Sequence, residues 1–238
     1  MPRLPRLNLA NIPQHVIQRG NNRNACFLLD RDRQYYLNKL QEYSQKFNVK
    51  IHAYVLMNNH VHLLLSPEEK FSVSLLMQSL GRSYVRYFNK SYKRSGTLWE
   101  GRFKSSLIDS ENYFLIVSRY IELNPVRANM VEKPESYDWS SYRTNALGYF
   151  DELITHHQCF MMLGKTNLER QKNYQSLFEN TIPLKVLTEL RISAHKSQAL
   201  GNKKFIDELE NLLGRKVISD SHGGDRRSSV YKQMNQGF

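Results

Sequence analysis

The chain has 238 residues, 40% hydrophobic and 11% aromatic, enough to bury a core and too apolar for a disordered polyelectrolyte. Lys and Arg total 34 against 22 Asp and Glu, a formal net charge of +12 that favours a polyanionic partner, nucleic acid first, over a basic one. Cys26 and Cys159 form no Cys-x-x-Cys pair, which argues against a disulfide framework and a thiolate zinc site. The basic start, Met1 to Arg6, lacks a following apolar run, and no stretch approaches the roughly 20 apolar residues of a membrane span, so a soluble cytoplasmic, nucleoid-associated protein is expected.

In chain order, His15-Val-Ile-Gln reads as a short strand that stops at the turn composition Gly20-Asn21-Asn22. Asp30 can cap a helix with Leu37, Leu40, Tyr43 and Phe47 at helical spacing. Alternating runs over Ile51 to Met57 and His60 to Leu65, separated by Asn58-Asn59, signal a hairpin. Val73, Leu76, Met77, Leu80 and Tyr84 mark a second amphipathic helix, with Arg82, Arg86 and Lys90 on another face. A fourth strand falls within Leu98 to Ile108. Asp109 or Ser110 then caps a third helix carrying Tyr113, Val117, Tyr120 and Asn124 on one stripe, and Pro125 biases Asn124 against continuing it. This order predicts an α+β, ferredoxin-like, four-stranded and largely antiparallel sheet with two helices on one face. Beyond Gly148 the pattern turns helical over Leu153 to Leu163, Leu168 to Phe178, Leu184 to Ala199 and Phe205 to Leu213, followed by a basic Gly- and Ser-bearing tail expected to be flexible.

His60-Val61-His62 puts two imidazoles on one side of a strand while Val61, Leu63 and Leu65 point to the other, core-facing side. Two neutral imidazoles make half a site for a divalent cation, although such a pair is also a common incidental surface feature. Tyr120 and Asn124, at i and i+4, share a helical face and present a phenol and an amide carbonyl together. Equally, Tyr120 fits an apolar core stripe with Val117 and Ile121, and Asn124 fits a helix end before Pro125.

Five motifs in order, His15-Val-Ile-Gln-Arg-Gly-Asn21, Asn58-Asn-His-Val-His62, Trp99-Glu-Gly-Arg-Phe103, Tyr120-Ile-Glu-Leu-Asn-Pro-Val-Arg127 and Trp139-Ser-Ser-Tyr142, make the chain resemble the REP-associated tyrosine transposases over about residues 1 to 148. These belong to the single-strand nucleases named for a histidine-hydrophobe-histidine motif. The resemblance implies a ferredoxin-like catalytic domain, His60 and His62 as metal ligands, Asn124 as an amide ligand and Tyr120 as nucleophile. It implies as substrate single-stranded DNA bearing a hairpin from an imperfect palindromic repeat, cleaved and rejoined through a 5′-phosphotyrosine. A mixed nitrogen and oxygen ligand set suits Mg2+ or Mn2+.

Arg19, Arg23, Arg82, Arg86, Arg102 and Lys104 are candidates for holding phosphates, though a solvated face serves equally for Arg82, Arg86 and Lys90. Trp99 and Phe103 are alternatives between core packing and base stacking. The expected organisation is a catalytic domain over 1–148, a helical accessory region over 149–214 and a basic tail over 215–238, acting as a monomer or homodimer. Two other readings remain open from sequence: a catalytically silent repeat-DNA binder, and a metal-dependent phosphodiesterase using water in place of Tyr120.

Overall fold

A computed structural model of the chain describes residues 6–218. Strands β1 (Gln14–Arg19), β2 (Val49–Met57), β3 (His60–Pro67) and β4 (Lys104–Leu107) and helices α1 (Asp30–Lys46) and α2 (Ser72–Ser91) follow in the order β1-α1-β2-β3-α2-β4. They form one sheet of order β2-β3-β1-β4 with every pair antiparallel, the expected ferredoxin-like α+β plan. Helices α1 and α2 cover one face. There Val16, Val61, Leu63 and Leu65 meet Tyr36, Leu40, Leu76, Leu80 and Tyr84 in the larger core.

Local chemistry explains where elements start and stop. The Asp32 carboxylate, rather than Asp30, accepts the Leu28 and Leu29 N–H groups at 2.9 and 3.0 Å, and so caps α1 from inside its first turn. β4 is shorter than its apolar run because Leu98 and Trp99 turn away into the α1/α2 core, where Trp99 meets Tyr36 and Tyr84. Asp109 caps α3 (Ser110–Glu122) by accepting from Glu111 N at 3.1 Å. Pro125 then opens a separate turn, α4 (Asn124–Arg127).

α3 packs on the opposite sheet face, with Phe114, Val117, Tyr120 and Ile121 against Ala53, Val55, Met57 and Leu64. Its last residue, Glu122, is fully buried, and its carboxylate accepts from Ser141 Oγ at 2.6 Å, Asn145 Nδ2 at 2.8 Å and Tyr174 Oη at 2.8 Å. Burial raises its pKa from 4.5 to about 7, against the opposing pull of these three donors. The network ties α3 to the Trp139-Ser-Ser-Tyr142 segment, to α5 (Tyr142–Leu147) and to α7 (Asn167–Ser176).

The helical C-terminal region is present but differs at one expected element. Only α6 (Gln158–Met161) forms within Leu153 to Leu163, because residues before it lie extended along β2: Ile154 bridges Ile51, and Thr155 N donates to Ile51 O at 2.7 Å. α8 (Leu184–Lys196) and α9 (Lys203–Leu213) follow near their expected places. The expected tail lies outside the described residues from 219 onward, and before that Val217 is buried with Leu7, Leu107 and Leu209. Among the described residues no helix is long and apolar enough to cross a membrane.

Candidate active site

Side chains on a strand alternate faces, and directly opposed residues of antiparallel strands share one. The α3 face therefore receives His60, His62 and Leu64 from β3, and their β1 partners Arg19, Ile17 and His15. Lys104 of β4 pairs with Ile17 from the other side and joins the same face. Three neighbouring strands thus present His15, Arg19, His60, His62 and Lys104 to one surface.

α3 lays Tyr120 across it. The Tyr120 ring lies 5.9 Å from that of His62 and 5.9 Å from that of His15, edge-on to both, and the His60 and His62 rings are 5.1 Å apart. His15 and His62 stack and share a hydrogen bond of 2.8 Å between His15 Nε2 and His62 Nδ1. His60 Nδ1 donates to Asn59 Oδ1 at 2.7 Å. Among the described residues, Nε2 of His60 and Nε2 of His62 take no hydrogen bond.

Burial is the main reason these rings resist protonation. It lowers His60 to about 4, with Arg19 adding to the effect, and His15 to about 3, with Arg127 adding. His62 falls well below the ordinary imidazole value through burial first and then the neighbouring His15 and His60. All three are neutral near pH 7, the form in which a ring nitrogen can bind a metal.

The groups at the end of α3 are held by one another. Asn124 Nδ2 donates to Tyr120 O and Ile121 O, each at 3.1 Å, and Asn124 Oδ1 accepts from Arg127 Nη2 at 2.9 Å. The Arg127 guanidinium sits 3.9 Å above the Tyr120 ring, a cation–π contact, and its Nη1 is buried without a partner. Among the described residues, no group of three or more His, Cys, Asp or Glu is arranged to hold a metal. His60 and His62 offer two nitrogen donors, and Asn124 Oδ1, four residues beyond Tyr120, keeps a second lone pair beside its bond from Arg127.

The remaining candidates divide by position. Arg23 is exposed in the turn after β1, where its carbonyl accepts from Asn59 Nδ2 at 3.0 Å, and Arg102 is exposed just before β4. Arg82 and Arg86 lie across the sheet from the histidines, lining a groove of about 560 Å³ between α1 and α2 together with Lys46 and Lys90. Trp99 is core, and Phe103 is buried beneath the Arg6 guanidinium at 3.7 Å, so both rings are already occupied. His15 and Arg127 were not singled out by the sequence reading. The alternation of His15, Ile17 and Arg19 carries a signal for the first, whereas Arg127 reaches Tyr120 only because α4 turns back at Pro125.

Residues 8–124 match the family described as "Transposase IS200 like". That segment, just under half of the chain, is similar to the IS200-like transposases. Among solved structures, the chain is similar to a REP-associated tyrosine transposase bound to a REP hairpin, at 17% identity and a TM-score of 0.49, over 66% of this chain and 93% of that one. It is also similar to a putative transposase from Deinococcus radiodurans R1, at 21% identity and a TM-score of 0.36, over 51% of this chain and 96% of that one. No curated protein matches the chain.

Proposed function

We propose that the protein is a tyrosine endonuclease and strand transferase acting on single-stranded DNA beside a palindromic-repeat hairpin, with Tyr120 as nucleophile. The observation that carries this reading is the placement of Tyr120 edge-on to His62, within a cationic, buried surface that already holds two imidazoles with free Nε2 atoms. His60 and His62 would hold a divalent metal through Nε2, with Asn124 Oδ1 as the candidate amide ligand. Bound there, Mg2+ or Mn2+ supplies Lewis acidity and a template for the scissile phosphate.

The chain's own groups account for the rest. Asn59 Oδ1 accepts the Nδ1 proton of His60, and His15 Nε2 accepts that of His62, which fixes both rings in the tautomer whose Nε2 lone pair faces outward. Arg127 fixes the plane of the Tyr120 ring and places positive charge beside the reacting phenol. Tyr120 Oη bonds to phosphorus as it loses its proton, and the bond from phosphorus to the 3′ oxygen breaks. The leaving oxygen takes up a proton and departs as a 3′ hydroxyl, while the 5′ side stays on Tyr120 as a phosphotyrosine. The reverse step, by the same or another 3′ hydroxyl, rejoins DNA without an external energy source. Arg19 and Lys104 lie beside the histidines to hold phosphates, with Arg23 and Arg102 at the rim.

End-labelled single-stranded hairpin DNA incubated with the protein and Mn2+ or Mg2+ should yield a denaturant-resistant protein–DNA adduct, absent with Tyr120→Phe. Cleavage that persists in Tyr120→Phe would establish water as the nucleophile instead. Hairpin binding by the native chain without any cleavage would establish a silent binder.

A further inference from the structure

The family match ends at Asn124, yet the surface around Tyr120 does not. α8 returns to the histidine face from 60 residues further along the chain. Leu190 is buried in the same core as Val117, Tyr120 and Ile121, and Tyr113 Oη of α3 donates to Glu189 at 3.2 Å. Beyond the end of α8, Leu200 bridges Ile108, and Leu200 N donates to Leu107 O at 2.8 Å, which anchors this end of the segment to β4.

With Leu190 and Ala194 turned inward, Arg191 and His195, one helical turn apart, share an exposed flank. His195 Nδ1 accepts from Lys104 Nζ at 3.3 Å, so the helix touches the very strand residue that shares the histidine face. Arg19 and Arg191 are close enough to depress their neighbours His195 and Arg127 electrostatically.

The charges there are unbalanced. Arg19, Lys104 and Arg191 enter no ion pair among the described residues, and Arg127 keeps Nη1 buried and unpartnered. Glu100 is the acidic group felt by His195, and Glu189 is engaged by Tyr113. Cations gathered from β1, β4, α4 and α8 around one point repel one another, and an orphaned buried guanidinium N–H costs free energy until an anion accepts from it. Phosphate oxygens answer both demands.

We propose that Arg191 and His195 of α8 complete, with Arg19, Lys104 and Arg127, a clamp on the phosphates of single-stranded DNA crossing the histidine face. This makes the C-terminal helical region part of the substrate site and not only a brace. The inference rests on the nucleic-acid substrate of the proposed function, but not on the tyrosine chemistry. In it, Arg191 supplies charge, whereas neutral His195, with Nδ1 accepting from Lys104, supplies a hydrogen bond from Nε2–H.

The test is fluorescence anisotropy with a labelled single strand of about 20 nucleotides, in chelator to prevent cleavage, across a range of salt. Arg191→Ala is expected to weaken binding about five-fold and to reduce the slope of log K against log salt by about 0.7, one phosphate contact on a single strand. Arg191→Lys should keep the slope. His195→Ala should weaken binding about three-fold with the slope unchanged, the signature of a lost neutral hydrogen bond. A slope unaltered by Arg191→Ala overturns the clamp, even if affinity falls, since a merely bracing residue would weaken binding without changing counterion release. A native chain that binds with the expected slope changes but forms no adduct defeats the tyrosine reading and upholds the clamp. An intact adduct with an unaltered Arg191→Ala slope does the reverse.

Discussion

On one face of the sheet, Val61, Leu63 and Leu65 are sealed beneath two helices by tyrosines and leucines. On the other, the alternate residues His60 and His62 face a tyrosine and another histidine, with an arginine stacked on that tyrosine. The same strand serves both faces because its side chains alternate, so the core that fixes β3 from behind also fixes the imidazoles in front. The histidine face is consequently rigid where it is chemically equipped. A one-residue slip of β3 would turn His60 and His62 into the helix-covered core and Val61 and Leu63 out of it, and the fully buried Leu63 guards against it.

Adjacent substitutions should separate the two faces. His62→Ala is expected to reduce the rate of adduct formation by about 100-fold or more while the chain stays folded, the scale seen when a metal ligand or its support is lost. Leu63→Ala, one residue away, should instead cost about 2–5 kcal/mol of folding stability by denaturant titration and leave the folded fraction active. Equal stability losses from the two would break the division between the faces.

Acidification probes the histidine face by a different route. His15, His60 and His62 have folded pKa values below the unfolded 6.5, so the unfolded chain binds more protons as pH falls from 6.5 toward 4, and stability drops. Glu122 has the opposite sign. Its folded pKa of about 7 exceeds the unfolded 4.5, so between those values the folded chain holds the extra proton and stability falls as pH rises. Three imidazoles outweigh one carboxyl, and net loss in acid is expected in chelator. Glu122→Gln should remove the opposing contribution, about 3 kcal/mol across that window, and make the loss on acidification steeper. Parallel stability curves for the two proteins would refute the buried, proton-holding Glu122.

The smallest effect is expected from the helix-pair face. Replacing Arg82 and Arg86 together by Gln should weaken single-strand binding only about two-fold, less than Arg19→Gln, because the groove they line lies across the sheet from His60, His62 and Tyr120. A larger loss than that of Arg19→Gln would move the principal DNA path to α1 and α2.

Much of this organisation is legible in the sequence. Period two put His60 and His62 on one side and the leucines on the other, and turn residues separated the hairpin strands. Helical spacing placed Tyr120 on the inner stripe of α3. What escaped were relations between distant segments. His15 is 47 positions from the histidine it supports, and the alternation of β1 gives its face but not the partner it meets there. Glu122 looks like an ordinary polar residue between Ile121 and Leu123, since its burial depends on Ser141, Asn145 and Tyr174 arriving from elsewhere. The run from Leu153 looked helical because its apolar spacing says nothing about the β2 edge that draws it into extended form.

That edge has a consequence for assembly. Leu56 N donates to Trp139 O, Ser141 N to Tyr54 O and Thr155 N to Ile51 O along the outer side of β2, while Leu200 occupies the outer side of β4 through Leu107 O and Asp109 N. Both margins of the sheet have already spent backbone groups on their own chain. A second copy would have to displace these segments to continue the sheet strand to strand, so any self-association that leaves the fold intact must use side-chain surfaces.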